Sequence, residues 1–194
     1  MEKRMLITAF DPFGGSEVNP SQLAVEALPD EVAGFRLKKL VIPTVFGAGA
    51  DLALAAAEEF APDVVLCIGV AEGREAVTPE RIAVNIRDAR IPDNAGNQPK
   101  GAFVSAEGPA AYFATVPVEA MAEAIRKAGI PAAVSNSAGA FVCNDVMYTV
   151  LHHYDGTAVR AGFVHVPALP GGDKPSMELE TIVAALLCAI GACA

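Results

Sequence analysis

The stretch DVVLCIG, residues 63–69, decides the fold. Its apolar core is short, contains β-branched residues and ends at a glycine. That combination reads as a strand buried on both faces rather than as one turn of a helix. Working upstream, Phe46–Phe60 is Ala-rich and helical, and Phe35–Val41 reads as another strand. Pro20–Leu28 reads as a helix with Asn19 as its N-cap and Pro20 at the first position. Arg4–Phe10 opens the series as a buried strand. Downstream, Arg81–Ile86 reads as a strand after a turn at Thr78-Pro79, and a long polar loop containing RIPDNAGNQPKG follows. Pro117–Ala128 is an amphipathic helix stopped by Gly129. Ala132–Ser135 reads as a short strand, Ala140–Tyr154 as a helix, Thr157–Val166 as a strand and Ser176–Ile190 as a last helix. Strands alternating with helices imply an α/β fold with a sheet covered on both faces. Residues 1–194 show no repeat and no linker, so a single domain is expected.

The formal net charge is -9, and no cluster of Lys or Arg offsets it. Nucleic acid and anionic membrane surfaces are therefore poor partners. Met1–Arg4 leads straight into a strand, without the apolar segment of a secretion signal. The most apolar tail, Ile182–Ala194, is too short to span a bilayer and reads as a packed helix. A cytoplasmic setting is expected. The four cysteines, at 67, 143, 188 and 193, form no CxxC pair and no zinc spacing, so no metal site is expected.

Chemistry in such folds gathers where strands end and turns begin. In SNSAGAFVCNDVMY, residues 135–148, small residues join a strand to a helix, and Cys143 falls in the first helical turn. Free backbone N–H groups and the positive end of the helix dipole favour a thiolate there. The same groups suit an oxyanion. A buried core cysteine is the competing reading. Cys67 reads as core, and Cys188 and Cys193 lie at a helix end that disfavours a thiolate. Of the three histidines, His152 and His153 follow Cys143 by most of a helix, at about 1.5 Å per residue, and read as caps of its negative end. His165, at the end of AGFVHVP, is the remaining partner. Glu80 is one candidate to orient that imidazole; Asp63, Asp88, Asp93 and Asp145 are rivals that these arguments leave open.

Four separated segments carry a resemblance. MLITAFDPFGGSEVNPS, GREAVTPERIAVNIRDARIPDNAGNQP, SNSAGAFVCND and GFVHVP resemble the pyroglutamyl peptidase I family, in that family's order and over nearly the whole chain. The resemblance implies a triad of Glu80, Cys143 and His165. It implies an α/β/α sandwich of the phosphorylase/hydrolase-like type with a mixed, mostly parallel sheet. It also implies a homotetramer, no metal or organic cofactor, and hydrolysis of peptides after an amino-terminal pyroglutamyl residue, with proline poor at the next position. Phe10, Phe13 and Phe141 match the family's apolar pocket, where aromatic walls suit a flat neutral lactam. Core packing is the alternative for each. Asn19 matches an asparagine near the substrate loop. Arg90 matches an arginine near the catalytic centre; a salt bridge to Asp88 or Asp93 is its alternative.

Two departures stand out. Val70 occupies a position where many members carry Gln, which removes a side-chain hydrogen bond toward Asn19. The segment VPALPGGDKPSM after His165 is shorter than the bacterial pattern. The rival readings are a non-hydrolytic ligand-binding or nucleoside phosphorylase-like α/β domain, an oligomer that has lost catalysis, and a glutaminase-like thiol amidase. The filled triad positions weigh against the second. The three pocket phenylalanines weigh against the third.

Overall fold

A computed structural model describes residues 2–194. Six strands form one sheet: β1 (Lys3–Phe10), β2 (Glu31–Val32), β3 (Phe35–Ile42), β4 (Val64–Val70), β5 (Thr78–Glu80) and β8 (Arg160–Val166). Their spatial order is β2-β3-β1-β4-β8-β5. The four central strands are parallel, and the two outer strands pair antiparallel. A separate antiparallel ribbon joins β6 (Ile82–Val84) to β7 (Ala111–Phe113).

Both faces are covered, as the unbroken apolar strands require. Along β4, Val64, Leu66 and Ile68 point to one core, and Val65 and Cys67 to the other. The first core is closed by α1 (Pro20–Glu26), α3 (Val118–Lys127) and α5 (Leu179–Gly191). The second is closed by α2 (Ala48–Phe60) and α4 (Val142–His153). Each fully buried Leu or Ile contributes about 1.5–3 kcal/mol through removal of apolar area from water. The three-layer sandwich with a mixed, mostly parallel sheet is therefore the architecture expected. Asn19 caps α1 by accepting from the Ser21 N–H at 3.0 Å. Gly129, at φ 79°, ends α3 where a side chain would be strained.

The structure corrects two local readings. Thr78-Pro79 is no turn: with Glu80 it forms β5, antiparallel to β8. Pro79 is tolerated because β5 is the last strand in the sheet. Ala132–Ser135 is not a strand; Ala132 and Ser135 make only isolated bridges, to Val77 and Glu80. The two-residue β2 and the three-residue β7 carry too little pattern to be read from sequence.

Candidate active site

The site lies at the carboxyl ends of β4 and β8, where the register sets Gly69 opposite His165. Strand alternation sends Cys67, Gly69, Phe163 and His165 toward the face that α4 covers. The helix starts here, with Phe141 extended at its N-cap and Cys143 second in the helix. No side chain caps this end, so its first N–H groups stay available. Gly69 allows the close approach: a Cβ there would stand 3.0 Å from Cys143 Sγ and 2.8 Å from Phe163 Cζ. Gly69→Ala is accordingly expected to cost about 1–3 kcal/mol, the usual scale of overpacking. Denaturant unfolding checks this; a variant as stable as the parent would show that the sulfur does not rest against the sheet.

His165, 4% exposed, ends β8 with Nδ1 2.7 Å from Glu80 Oε1. Glu80 is fully buried on β5. The carboxylate acceptor places the imidazole proton on Nδ1 and leaves Nε2 with a lone pair. Burial pushes Glu80 upward, but His165 first, then Ser135 and Arg74, outweigh it and hold the carboxyl below its usual range. Burial lowers His165 more than Glu80 raises it. Burial, then the Glu80 charge, pushes the Cys143 thiol up to about 12. The helix start was expected to favour a thiolate; burial against the sheet overrides it. The resting site therefore holds a neutral thiol, a neutral imidazole and a carboxylate.

Two cavities meet at Cys143. The larger, about 620 Å³, is lined by all six predicted pocket residues: Phe10, Phe13, Asn19, Val70, Arg90 and Phe141. The smaller, about 450 Å³, shares Val70, Gly139, Phe141 and Cys143 with it and adds Arg74, Ser137, Ala138 and His165. Phe13 and Phe141 stand 5.2 Å apart between ring centroids, and Phe46 packs edge-on to Phe141. Phe10 is buried against Phe163 and also lines the cavity. Asn19, besides capping α1, donates from Nδ2 to the Asp11 carbonyl and pins the loop that carries Phe13.

Among the described residues, Arg90 makes no ion pair. Asp93 instead accepts from the backbone of Phe46, Ala95 and Asn97, and Asp88 faces Lys100 at 3.7 Å. The rival orienters are also engaged elsewhere: Asp63 with the Arg4 N–H, and Asp145 with Arg87 and the Gly47 N–H. Only Glu80 meets His165. His152 bonds Tyr112, far along α4 from the sulfur. Cys67 and Cys193 are buried, which pushes each thiol to about 11. Arg74 went unnoticed in the sequence. Its only signal would have been the need of a buried carboxylate for cationic company, and the burial of Glu80 depends on the β5–β8 pairing.

Residues 3–194 match the family model described as pyroglutamyl peptidase. The chain is 49% identical over 193 residues to a pyrrolidone-carboxylate peptidase of Bacillus licheniformis, covering 96% of this chain and 90% of that one. It is 48% identical over 194 residues to one of Streptococcus pyogenes, with the same coverage. Among solved structures, pyroglutamyl peptidase I of Bacillus amyloliquefaciens superposes with a TM-score of 0.95 at 42% identity, covering 99% of this chain and 97% of that chain. A pyrrolidone carboxyl peptidase from Thermococcus litoralis gives a TM-score of 0.94 at 37% identity, covering 98% and 93%.

Proposed function

This chain belongs to the pyroglutamyl peptidase family, and we infer from that membership and from the geometry around Cys143 that it is a cysteine peptidase hydrolysing the bond after an amino-terminal pyroglutamyl residue. In this reading the whole chain is one catalytic domain. The observation that carries the catalytic assignment is the 2.7 Å contact between His165 and a buried carboxylate, in a cavity shared with Cys143. The lactam enters the larger cavity against the paired rings of Phe13 and Phe141. His165 Nε2 takes the thiol proton as Sγ attacks the pyroglutamyl carbonyl. Glu80 stabilises the imidazolium that forms, and the first N–H groups of α4 hold the oxyanion. His165 then protonates the leaving amine. Water attacks the thioester with His165 as base, releasing pyroglutamate and the free thiol. Arg90, unpaired at the rim, orients the scissile carbonyl. Val70 offers the lactam no side-chain hydrogen bond, so ring recognition falls to backbone groups and aromatic contact.

The smaller cavity also reaches Cys143, and small residues (Ala71, Ser137, Ala138 and Gly139) make up much of its lining. That suits a leaving group of loosely specified side chain. The exposed rings of Phe103 and Phe113 favour association of copies, and a homotetramer is our reading of its assembly. Four free thiols fit a reducing cytoplasm. No helix among the described residues is long and apolar enough to cross a membrane.

The test is release of a chromogenic amine from a pyroglutamyl amide, beside alanyl and prolyl analogues. Release is expected from the pyroglutamyl compound alone, abolished by a thiol alkylator and protected by 2-pyrrolidone. Equal turnover of all three, or indifference to the alkylator, would overturn the assignment.

A further inference from the structure

The Glu80 carboxylate meets two partners through one oxygen. Oε1 accepts from His165 Nδ1 at 2.7 Å and from Arg74 Nη1 at 2.6 Å. Oε2 is buried with no partner. The same guanidinium donates from Nη1 to Thr78 Oγ1 at 2.6 Å and from Nη2 to the Ser137 carbonyl at 3.0 Å. Ser137 begins the loop that delivers Phe141 and Cys143 to the start of α4. One planar fork therefore bridges the strand that holds the carboxylate and the loop that leads to the nucleophile. A lysine has one nitrogen and cannot span both.

We propose that Arg74 is a positioning residue for the reaction, locking Glu80 against His165 while tethering the loop that carries Cys143. This rests on the peptidase reading above. The arrangement answers two needs. A carboxylate whose second oxygen is unheld would rotate about its last bond, and the Arg74 contact removes that freedom. The cation also faces the imidazole across the shared oxygen, so it opposes a second positive charge on His165. The charged and titratable groups around the pair are Glu80 on β5, Arg74 after β4, Cys143 on α4 and Cys67 on β4. Of these only Arg74 is cationic. It thus keeps His165 neutral, and ready to act as a base, to lower pH than Glu80 alone would allow.

Arg74 side-chain atoms are 31% exposed, so Arg74→Met and Arg74→Lys are both practicable. In Arg74→Met, kcat on a pyroglutamyl amide is expected to fall roughly tenfold or more, the scale of losing a group that orients a functional imidazole. KM for an amide with a small leaving amine should change less than kcat, because Arg74 lines the leaving-group cavity and not the ring cavity. His165, followed by nitrogen-15 NMR of its ring, should hold its proton to higher pH than in the parent, and the acid limb of kcat/KM should move the same way. Arg74→Lys should return the titration to the parental position while recovering kcat only in part. Parental kcat and titration in Arg74→Met would overturn the proposal. So would a loss of kcat with unchanged titration and a lowered melting temperature, which is the signature of a purely structural contact. If Arg74→Met fails to fold, a shifted titration in Arg74→Lys overturns the charge effect and a parental one upholds it. The imidazole titration needs no substrate, so an inactive parent would sink the peptidase reading without deciding this one.

Discussion

Cys143→Ser is expected to lower hydrolysis of a pyroglutamyl amide by about 10⁴- to 10⁶-fold, the range for removing a nucleophile whose partners stay in place. The serine hydroxyl is smaller than the thiol, fits in its place and keeps the start of α4 intact. It is a far weaker acid than a thiol, however, and His165 would have to deprotonate it. Even the thiol is pushed up to about 12 by burial. Proton removal by His165 then accompanies attack, and the transition state gains what the resting thiol lacks: oxyanion donors and an imidazolium facing Glu80. Cys143 is half-buried, so the stability change should stay near 1 kcal/mol. Steady-state kinetics beside a thermal melt separates the two effects. A fully active, normally folded Cys143→Ser would remove the basis of the mechanism.

Glu80→Gln is expected to lower kcat by about 10²- to 10⁴-fold, within the range for loss of a triad carboxylate. Because His165 and Arg74 share Oε1, a glutamine whose carbonyl oxygen takes that place still accepts from both. The tautomer then survives, and the loss is of charge. The forming imidazolium would face the Arg74 cation with no negative charge between them. Glu80 raises the affinity of His165 for its proton, so the substitution lets the imidazole lose that proton at lower pH. The acid limb of the rate profile should move down, opposite in direction to Arg74→Met. An acid limb that moves upward in Glu80→Gln would contradict the assigned roles of both residues.

These expectations rest on contacts that the sequence disclosed unevenly. Cys143 was legible because a turn from small residues into a helix is local, and His165 because the other two histidines lie too far along α4. The central strands were legible because a strand buried on both faces must be apolar throughout. Glu80 was harder. Its partner is 85 residues away, reached through the pairing of β5 with β8, and Pro79 disguised that strand as a turn. The family resemblance, not residue arithmetic, set it apart from Asp63, Asp88, Asp93 and Asp145. Arg74 stayed hidden for the same reason. A helix start favours a thiolate locally, whereas burial against Gly69 and Phe163 across the sheet pushes the thiol the other way, and no local pattern discloses that burial. Local patterns disclose elements and caps; pKa values are set by what the tertiary fold presses against them.

The most direct measurement concerns the sulfur itself. A pyroglutamyl aldehyde labelled with carbon-13 at the aldehyde carbon cannot expel a leaving group, so attack halts at the tetrahedral stage. Carbon-13 NMR of the complex should show a single hemithioacetal resonance that disappears in Cys143→Ala. An aldehyde that stays hydrated and free, or one whose sulfur-bound signal persists without Cys143, would place the nucleophile elsewhere.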